Sequence, residues 1–221
     1  MTASSISTSR RQLVSIHEAF RTLEGDGFEV RRAIPSDAYE AIGPFIFLDQ
    51  FGPIDVRPGE AKGASAHPHA GIIPTTYFLE GSGHHRDSLN YDFQISKGDF
   101  MLFTAGRGAI HMEETGEHLY KEGGIYHGFQ IWLNMPAKYK FVDPSTELFN
   151  PSQMAQLEKE DFTANIVMGE LLGAKSKVEP LFPVFYFHIK MKPGCKLEIP
   201  LDATHNAFTY VIKGSVETEG N

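Results

Sequence analysis

Short apolar runs, each bounded by turn residues, follow one another along the first two thirds of the chain. Short strands separated by such frequent turns are typical of an antiparallel sandwich or barrel, whereas βαβ units would need helical segments between the strands. The pattern therefore predicts an all-β fold. The runs predicted as strands are residues 27–33, 44–49, 72–79, 93–95, 99–104 and 129–134.

The pattern changes after residue 143, where Pro144 and Pro151 interrupt the strands. We predict three parts: a first barrel over residues 1–143, a connecting segment over 144–180, and the start of a second β domain over 181–221. About forty residues are too few for a barrel of roughly eight strands, so other parts of the chain complete this domain or it is shortened. The remaining predictions are a polar tail at 1–12, a short helix at 152–161, and strands at 184–191, 197–200 and 207–213.

Composition narrows the class of protein. Hydrophobic residues make up 41% and charged residues 22% of the 221 positions, as expected of a globular protein rather than a disordered one. The net charge is −8 and Lys/Arg-rich runs are absent, which argues against direct nucleic-acid binding. No stretch reaches the roughly 18 apolar residues of a membrane span. Cys195 is the single cysteine, so no intrachain disulfide can form and a cytoplasmic location is expected.

Two short motifs combine residue types that bind metals. His67 and His69 are two positions apart, as are His111 and Glu113, so each pair would share one face of a strand. Imidazole nitrogens with one carboxylate suit a divalent ion such as Fe(II), Mn, Ni, Cu or Zn. Four protein ligands on an octahedral ion would leave two positions open, for a substrate oxygen and for dioxygen or water.

Other conspicuous residues have structural explanations. His85 and Asp87 are predicted to belong to a turn network that closes a hairpin. Phe129 and Trp132 share one predicted strand and are expected in the core rather than stacked on a substrate. Arg107, between two glycines, is expected to form a salt bridge across the barrel mouth rather than to contact a substrate. The histidines assigned to surface or hydrogen-bonded core positions are His17, His118 and His188.

Short motifs follow one another in a fixed order along most of the chain. In the N-terminal part they are FLDQFGP at 47–53, HPHAG at 67–71, TYFLEG at 76–81, HRDS at 85–88, TAGRG at 104–108, HME at 111–113 and HGFQIWLNMP at 127–136. Pro200, HNAF at 205–208 and YVIKG at 210–214 follow further on. The order of these motifs resembles the pirin family over roughly residues 25–215, and the last three resemble the opening of the family's second domain.

The resemblance implies a bicupin, two cupin barrels in one chain, with a metal in the first barrel only. The family's ligands fall on His67, His69, His111 and Glu113, and iron is the expected ion, with Ni, Mn, Cu and Zn as alternatives. In the second barrel only His205 is a candidate ligand, so we expect no metal there.

Members of this family resemble quercetin 2,3-dioxygenases, which implies an oxidoreductase that uses dioxygen to cleave flavonol-type, small aromatic substrates. Glu113 would then serve as ligand and as catalytic base. The eukaryotic members act as iron-dependent nuclear co-regulators, which implies the alternative of a non-enzymatic metal or redox sensor that acts on a protein partner. A structural zinc is a third hypothesis, but such sites are usually closed and rich in thiolates, and Cys195 is distant in sequence.

The chain departs from the family directly after its first motif. Members commonly have Arg-Gly-Phe-Glu there, whereas this chain has Ala70, Gly71, Ile72 and Ile73. Ala70 removes a positive charge near the expected pocket mouth, so the departure leaves open which flavonol-type substrate is used. Ile73 is apolar where many cupins have a carboxylate ligand, which leaves Glu113 as the only one.

Overall fold

Residues 11–218 are described by the structure, a computed structural model. Most of the predicted tail at 1–12 therefore lies outside the described residues. The strands are β1 Phe20–Glu24, β2 Phe28–Ile34, β3 Phe45–Val56, β4 Ala64–His69, β5 Ile72–Glu80, β6 Ser82–Asp87, β7 Asp92–Ser96, β8 Phe100–Thr104, β9 Ala109–Thr115, β10 Gly124–Asn134, β11 Ser145–Phe149, β12 Ala155–Glu158, β13 Phe162–Met168, β14 Glu170–Leu171, β15 Ala174–Lys175 and β16 Tyr186–Met191. The helices are α1 Glu117–Glu122 and the 3-10 turns Ala137–Tyr139 and Pro151–Gln153.

Two antiparallel sheets form the first barrel. One has seven strands in the order β1-β2-β3-β10-β5-β8-β11, and the other has four in the order β4-β9-β6-β7. Side chains alternate along strand β10, so Gln130 and Trp132 line the space between the sheets while Ile131 and Leu133 lie on the opposite face. The predicted all-β fold is confirmed, and every predicted strand of this part overlaps an observed one.

The second β unit packs on the outer face of the seven-stranded sheet. Its three-stranded sheet has the order β12-β13-β16, and strands β14 and β15 form a small hairpin. Phe100, Ile131 and Leu133 from the first unit share one apolar cluster with Val167 and Val184 from the second. The central sheet is therefore covered on both faces, which explains why all five residues of strand β8 are buried.

The helix predicted over residues 152–161 is wrong. The chain there forms only one 3-10 turn, followed directly by strand β12. Ala155 and Leu157 pack against the apolar cluster of the three-stranded sheet, while Gln156 and Glu158 are exposed. This spacing has the period of a strand, so pairing with strand β13 outweighs the helix-favouring composition.

Two predicted strands of the second unit are also wrong. Strand β16 confirms the prediction at 184–191, but residues 197–200 and 207–213 form no strand and pair with no strand among the described residues. A strand needs a hydrogen-bonded neighbour, which an alternating sequence alone does not supply. Strand β11 pairs with strand β8, and strand β13 with strand β16. The division at 143/144 and 180/181 stays a prediction.

None of the helices in the described part of the chain has the length and apolar character that crossing a membrane requires.

Candidate metal centre

The predicted histidines meet on the four-stranded sheet, facing the interior of the barrel. His67 and His69 lie in strand β4 and His111 lies in strand β9, with His67 directly opposite His111 in the antiparallel register. One ring nitrogen from each of the three lies within 4.8 Å of the others. The alternation expected of strands and the pairing of strands β4 and β9 together produce this cluster.

The ring nitrogens of the cluster have different surroundings. His67 Nε2 and His111 Nε2 face each other at 3.0 Å, whereas His67 Nδ1 donates to the carbonyl oxygen of Ser65 at 2.6 Å. His69 Nε2 is buried and has no hydrogen-bond partner in the described structure. A buried polar atom without a partner is costly, and a bound cation would satisfy it.

Burial is the main influence on the charge of the His69 and His111 rings. It lowers the pKa of His69 to about 4, assisted by the nearby His67. Burial lowers the pKa of His111 further, to about 2, with repulsion from His67, His69 and His85 adding to the effect. Both rings are therefore neutral at pH 7, the state in which an imidazole nitrogen can bind a metal.

Glu113 lies on the same face of strand β9 as His111, but it is held differently. Its Oε1 lies 2.6 Å from the hydroxyl of Thr76, and its Oε2 accepts a hydrogen bond from Gln130 Nε2 at 2.7 Å. Its carboxylate is grouped with His111 and His85, all within 4.8 Å, rather than with His67 and His69. The structure thus brings the three predicted histidine ligands together and anchors the fourth predicted ligand to the opposite sheet.

His85 and Asp87 form a buried pair behind His111, a contact with the site that was not predicted from the sequence. His85 Nδ1 lies 3.4 Å from His111 Nδ1, and His85 Nε2 lies 3.0 Å from Asp87 Oδ2. The predicted turn network does exist, because Asp87 Oδ1 accepts from the backbone N–H groups of Leu89 and Tyr91. The sequence does contain a signal for this pair: His85 and Asp87 are two positions apart in strand β6, the same spacing as His67 and His69 or His111 and Glu113.

The charge of Asp87 reflects two opposing influences. Burial by itself raises the pKa of Asp87, but hydrogen bonds from Thr146, from His85 and from the backbone outweigh it. The pKa of Asp87 therefore lies below its usual value, and the carboxyl group is ionised at pH 7.

Trp132 contacts the histidine cluster, so its assignment to the core is wrong. Its indole stacks on Phe47 with ring centroids 4.2 Å apart and meets the ring of His69 at 4.9 Å. The register of strand β10 carries it to the barrel interior, which the sequence alone did not determine. Phe129, three positions earlier, is buried on the outer face as predicted.

The other structural assignments are confirmed. Arg107 pairs with Asp143 at 3.1 Å on an exposed surface. His188 contacts the hydroxyl of Tyr77, and both His17 and His118 are exposed.

A cavity of about 410 Å³ lies beside the histidine cluster, with His67 and Glu113 in its wall. Rings of Phe47, Phe51, Phe78 and Trp132 line it, with His67 among the polar residues. A cavity of this size and character fits a small aromatic molecule. Phe47 also stacks beneath the guanidinium of Arg32, which lies 4.4 Å from the ring centroid.

Asp49 adds a buried charge to the cavity wall. Arg32 donates to both of its carboxylate oxygens, at 2.9 and 2.7 Å. Burial raises the pKa of Asp49, while the Arg32 guanidinium opposes this change. A bidentate pair of this kind fixes the side chain that faces the cavity.

An antiparallel barrel of two facing sheets, with one histidine-bearing strand paired to another, defines the first unit as a cupin. Residues 27–133 match the family model described as Pirin. A pirin-like protein from Caulobacter vibrioides is 37% identical over 196 residues, covering 87% of this chain and 67% of the relative. One from Solanum lycopersicum is 33% identical, covering 97% of this chain and 70% of the relative. The chain belongs to the pirin family.

A similar structure supports the same fold. A quercetin 2,3-dioxygenase from Acinetobacter baumannii superposes with a TM-score of 0.77 at 28% identity, covering 84% of this chain. This chain spans only 60% of the length of that enzyme chain.

Proposed function

We propose that the chain binds one divalent metal ion, iron, on His67, His69 and His111, with Glu113 as the fourth ligand. One observation carries this proposal: three imidazoles direct nitrogens into a common space beside an aromatic cavity that His67 lines. The partnerless Nε2 of His69 and the facing Nε2 atoms of His67 and His111 fit a cation that accepts all three lone pairs. Each carboxylate oxygen of Glu113 accepts one hydrogen bond and keeps a lone pair for the ion.

The reaction class that fits the site is dioxygenation of a flavonol-type substrate. When bound, the metal supplies a Lewis acid with open positions for a substrate oxygen and for dioxygen. The likeness to the quercetin 2,3-dioxygenase supports a small aromatic substrate with an acidic hydroxyl group. The rings of Phe47 and Trp132 would hold such a molecule by stacking.

Glu113 is the proposed base. Its two oxygens are oriented by Thr76 and Gln130, both on the sheet that faces the histidines. An oriented carboxylate can accept the proton of a substrate hydroxyl without first reorganising. Thr76 and Gln130 therefore act as positioning residues for the proton transfer.

Metal analysis and oxygen-dependent turnover together test this function. The purified chain, loaded anaerobically with Fe(II), should bind about one ion per chain, and flavonol absorbance should decline only after air is admitted. Turnover is then measured in separate samples loaded with Ni(II), Mn(II), Cu(II) or Zn(II), which identifies the ion that supports it. If no ion binds, the metal site is wrong. If iron binds but no flavonol is consumed with any ion, the dioxygenase proposal is wrong and the sensor alternative gains support.

A further inference from the structure

A series of polar contacts links His111 to two other residues of the four-stranded sheet, on the side away from the cavity. His111 Nδ1 lies 3.4 Å from His85 Nδ1, at the long end of the hydrogen-bond range, and His85 Nε2 lies 3.0 Å from Asp87 Oδ2. Strand β9 pairs with strand β6, with Asp87 opposite His111 and His85 opposite Glu113. The register of the two strands therefore places the three side chains in line.

The positions of the hydrogens in this series of contacts follow from the hydrogen-bond partners of Asp87. Asp87 accepts from the hydroxyl of Thr146 and from the backbone N–H groups of Leu89 and Tyr91. An ionised carboxylate is an acceptor only, so the hydrogen between it and His85 must lie on Nε2 of His85. When the His85 ring is neutral, its Nδ1 is an acceptor, and His111 Nδ1 is then the donor to it. His111 Nε2 then carries a lone pair, as does His67 Nε2, because the His67 ring donates through Nδ1 to Ser65. A cation bound by these two facing atoms would accept both lone pairs.

Water cannot compete for these contacts. The side chains of His85 and Asp87 are 0% exposed, and His111 as a whole is 1% exposed. Phe103 stacks on the His111 ring at 4.5 Å and also contacts His85, which shields the line on one side. Hydrogen bonds in such a dry environment hold orientation more strongly than exposed ones.

We infer that His85 and Asp87 are positioning residues that fix the tautomer and orientation of His111, so that its Nε2 lone pair faces the metal site. This inference rests on the proposed metal function. The geometry disfavours His85 as a ligand in its own right, although its nitrogen, His111 and Glu113 also lie within 4.8 Å of one another. His85 already uses Nε2 on Asp87, and binding through Nδ1 would turn His111 away from His67 and leave His69 unused.

The experiment replaces the hydrogen-bonding ring of His85 in two ways. His85→Phe keeps a flat ring of similar size but removes both hydrogen bonds. His85→Gln supplies an amide oxygen to accept from His111 and an N–H group to donate to Asp87. Asp87→Asn removes the charge at the end of the line with little change in shape. His118→Gln is the matched control, because His118 is exposed on helix α1 beside Glu122.

Two measurements separate positioning from packing. Long-range ¹⁵N NMR of the metal-free protein gives the tautomer of His111: protonated at Nδ1 in the wild type, mixed in His85→Phe, and restored in His85→Gln. Titration with Co(II) gives affinity and a ligand-sensitive visible spectrum. Loss of an outer hydrogen bond to a ligating histidine typically weakens metal binding about 10–100-fold, which we expect for His85→Phe and Asp87→Asn. His85→Gln should recover most of this affinity, and His118→Gln should match the wild type.

Wild-type affinity and spectrum in His85→Phe would overturn the inference. The inference would also be overturned if His85→Phe and His85→Gln lost metal affinity equally and in proportion to their loss of thermal stability in the metal-free protein. His85 would then contribute through packing alone. A wild-type protein that bound no metal would refute the proposed function instead, while the His111 tautomer would still decide whether His85 positions that ring.

Discussion

The indole of Trp132 lies edge-on to the ring of His69, with the ring centroids 4.9 Å apart and the planes at 69°. Trp132 is the only tryptophan in the chain, so its fluorescence reports on the histidine cluster alone. We expect Co(II) or Ni(II) to quench this fluorescence on binding, since a paramagnetic ion on His69 would lie in contact range of the indole. Emission that stays unchanged while metal analysis finds one ion per chain would place the ion elsewhere.

Alanine at any of the three clustered histidines should abolish most metal binding and leave the fold intact. His67→Ala, His69→Ala and His111→Ala each remove one nitrogen from a set that lies within 4.8 Å. Metal content after dialysis, together with circular dichroism, measures both effects. His118→Ala and Cys195→Ser are the controls and should retain full metal content. Full occupancy in all three cluster variants would contradict the assignment.

Glu113→Gln should reduce turnover far more than metal affinity. Glutamine keeps a ligating oxygen and nearly the same shape, but it cannot accept a proton, and losing a general base typically costs about 10²–10⁴-fold in rate. Turnover at saturating flavonol should be compared with metal content in the same sample. A variant with full metal and full activity would leave Glu113 a ligand at most.

Acidification should destabilise the fold through His188. Burial, with nearby Lys190 and His127, lowers the pKa of His188 from 6.5 to about 4. The folded state thus favours the neutral ring, so its contribution to stability is complete above about pH 6.5 and is lost as the pH falls toward 4. The full shift corresponds to up to about 3 kcal/mol.

Urea unfolding of the metal-free protein between pH 4 and 7 checks the effect of His188. His69 and His111 titrate in the same direction, so the informative quantity is the difference between the wild type and His188→Gln. The variant should lose less stability on acidification. Identical pH profiles would show that His188 has the same pKa in the folded and unfolded states.

Truncating a side chain in the core shared by the two β units should lower the free energy of unfolding more than truncating a side chain on the surface. Phe100 is 0% exposed between the two β units, and Phe100→Ala should lower the free energy of unfolding by about 3–5 kcal/mol. Phe141 is 84% exposed, and Phe141→Ala should change it by less than about 0.5 kcal/mol. Equal effects in urea unfolding would mean that the two units do not share a cooperative core.

The sequence predicted those parts of the site that depend on local spacing. Alternation within a strand is enough to place His67 beside His69 on one face, and His111 beside Glu113. It does not determine which strands pair, so the approach of His85 to His111 could not be anticipated from two separate segments. Trp132 is misassigned for a related reason: positions 129 and 132 lie on opposite faces of strand β10, and the spacing alone does not determine which face lines the cavity.

Strand β10 also limits which sequence changes can alter the lining of the cavity. Gln130 and Trp132 face the cavity, whereas Ile131 and Leu133 contribute to the core shared with the second β unit. An inserted or deleted residue between positions 124 and 134 would exchange these two sets, sending polar groups into the core and aliphatic ones toward the histidines. Relatives with other ligand preferences are therefore expected to differ by side-chain replacement at the cavity positions, while the length of this strand stays constant.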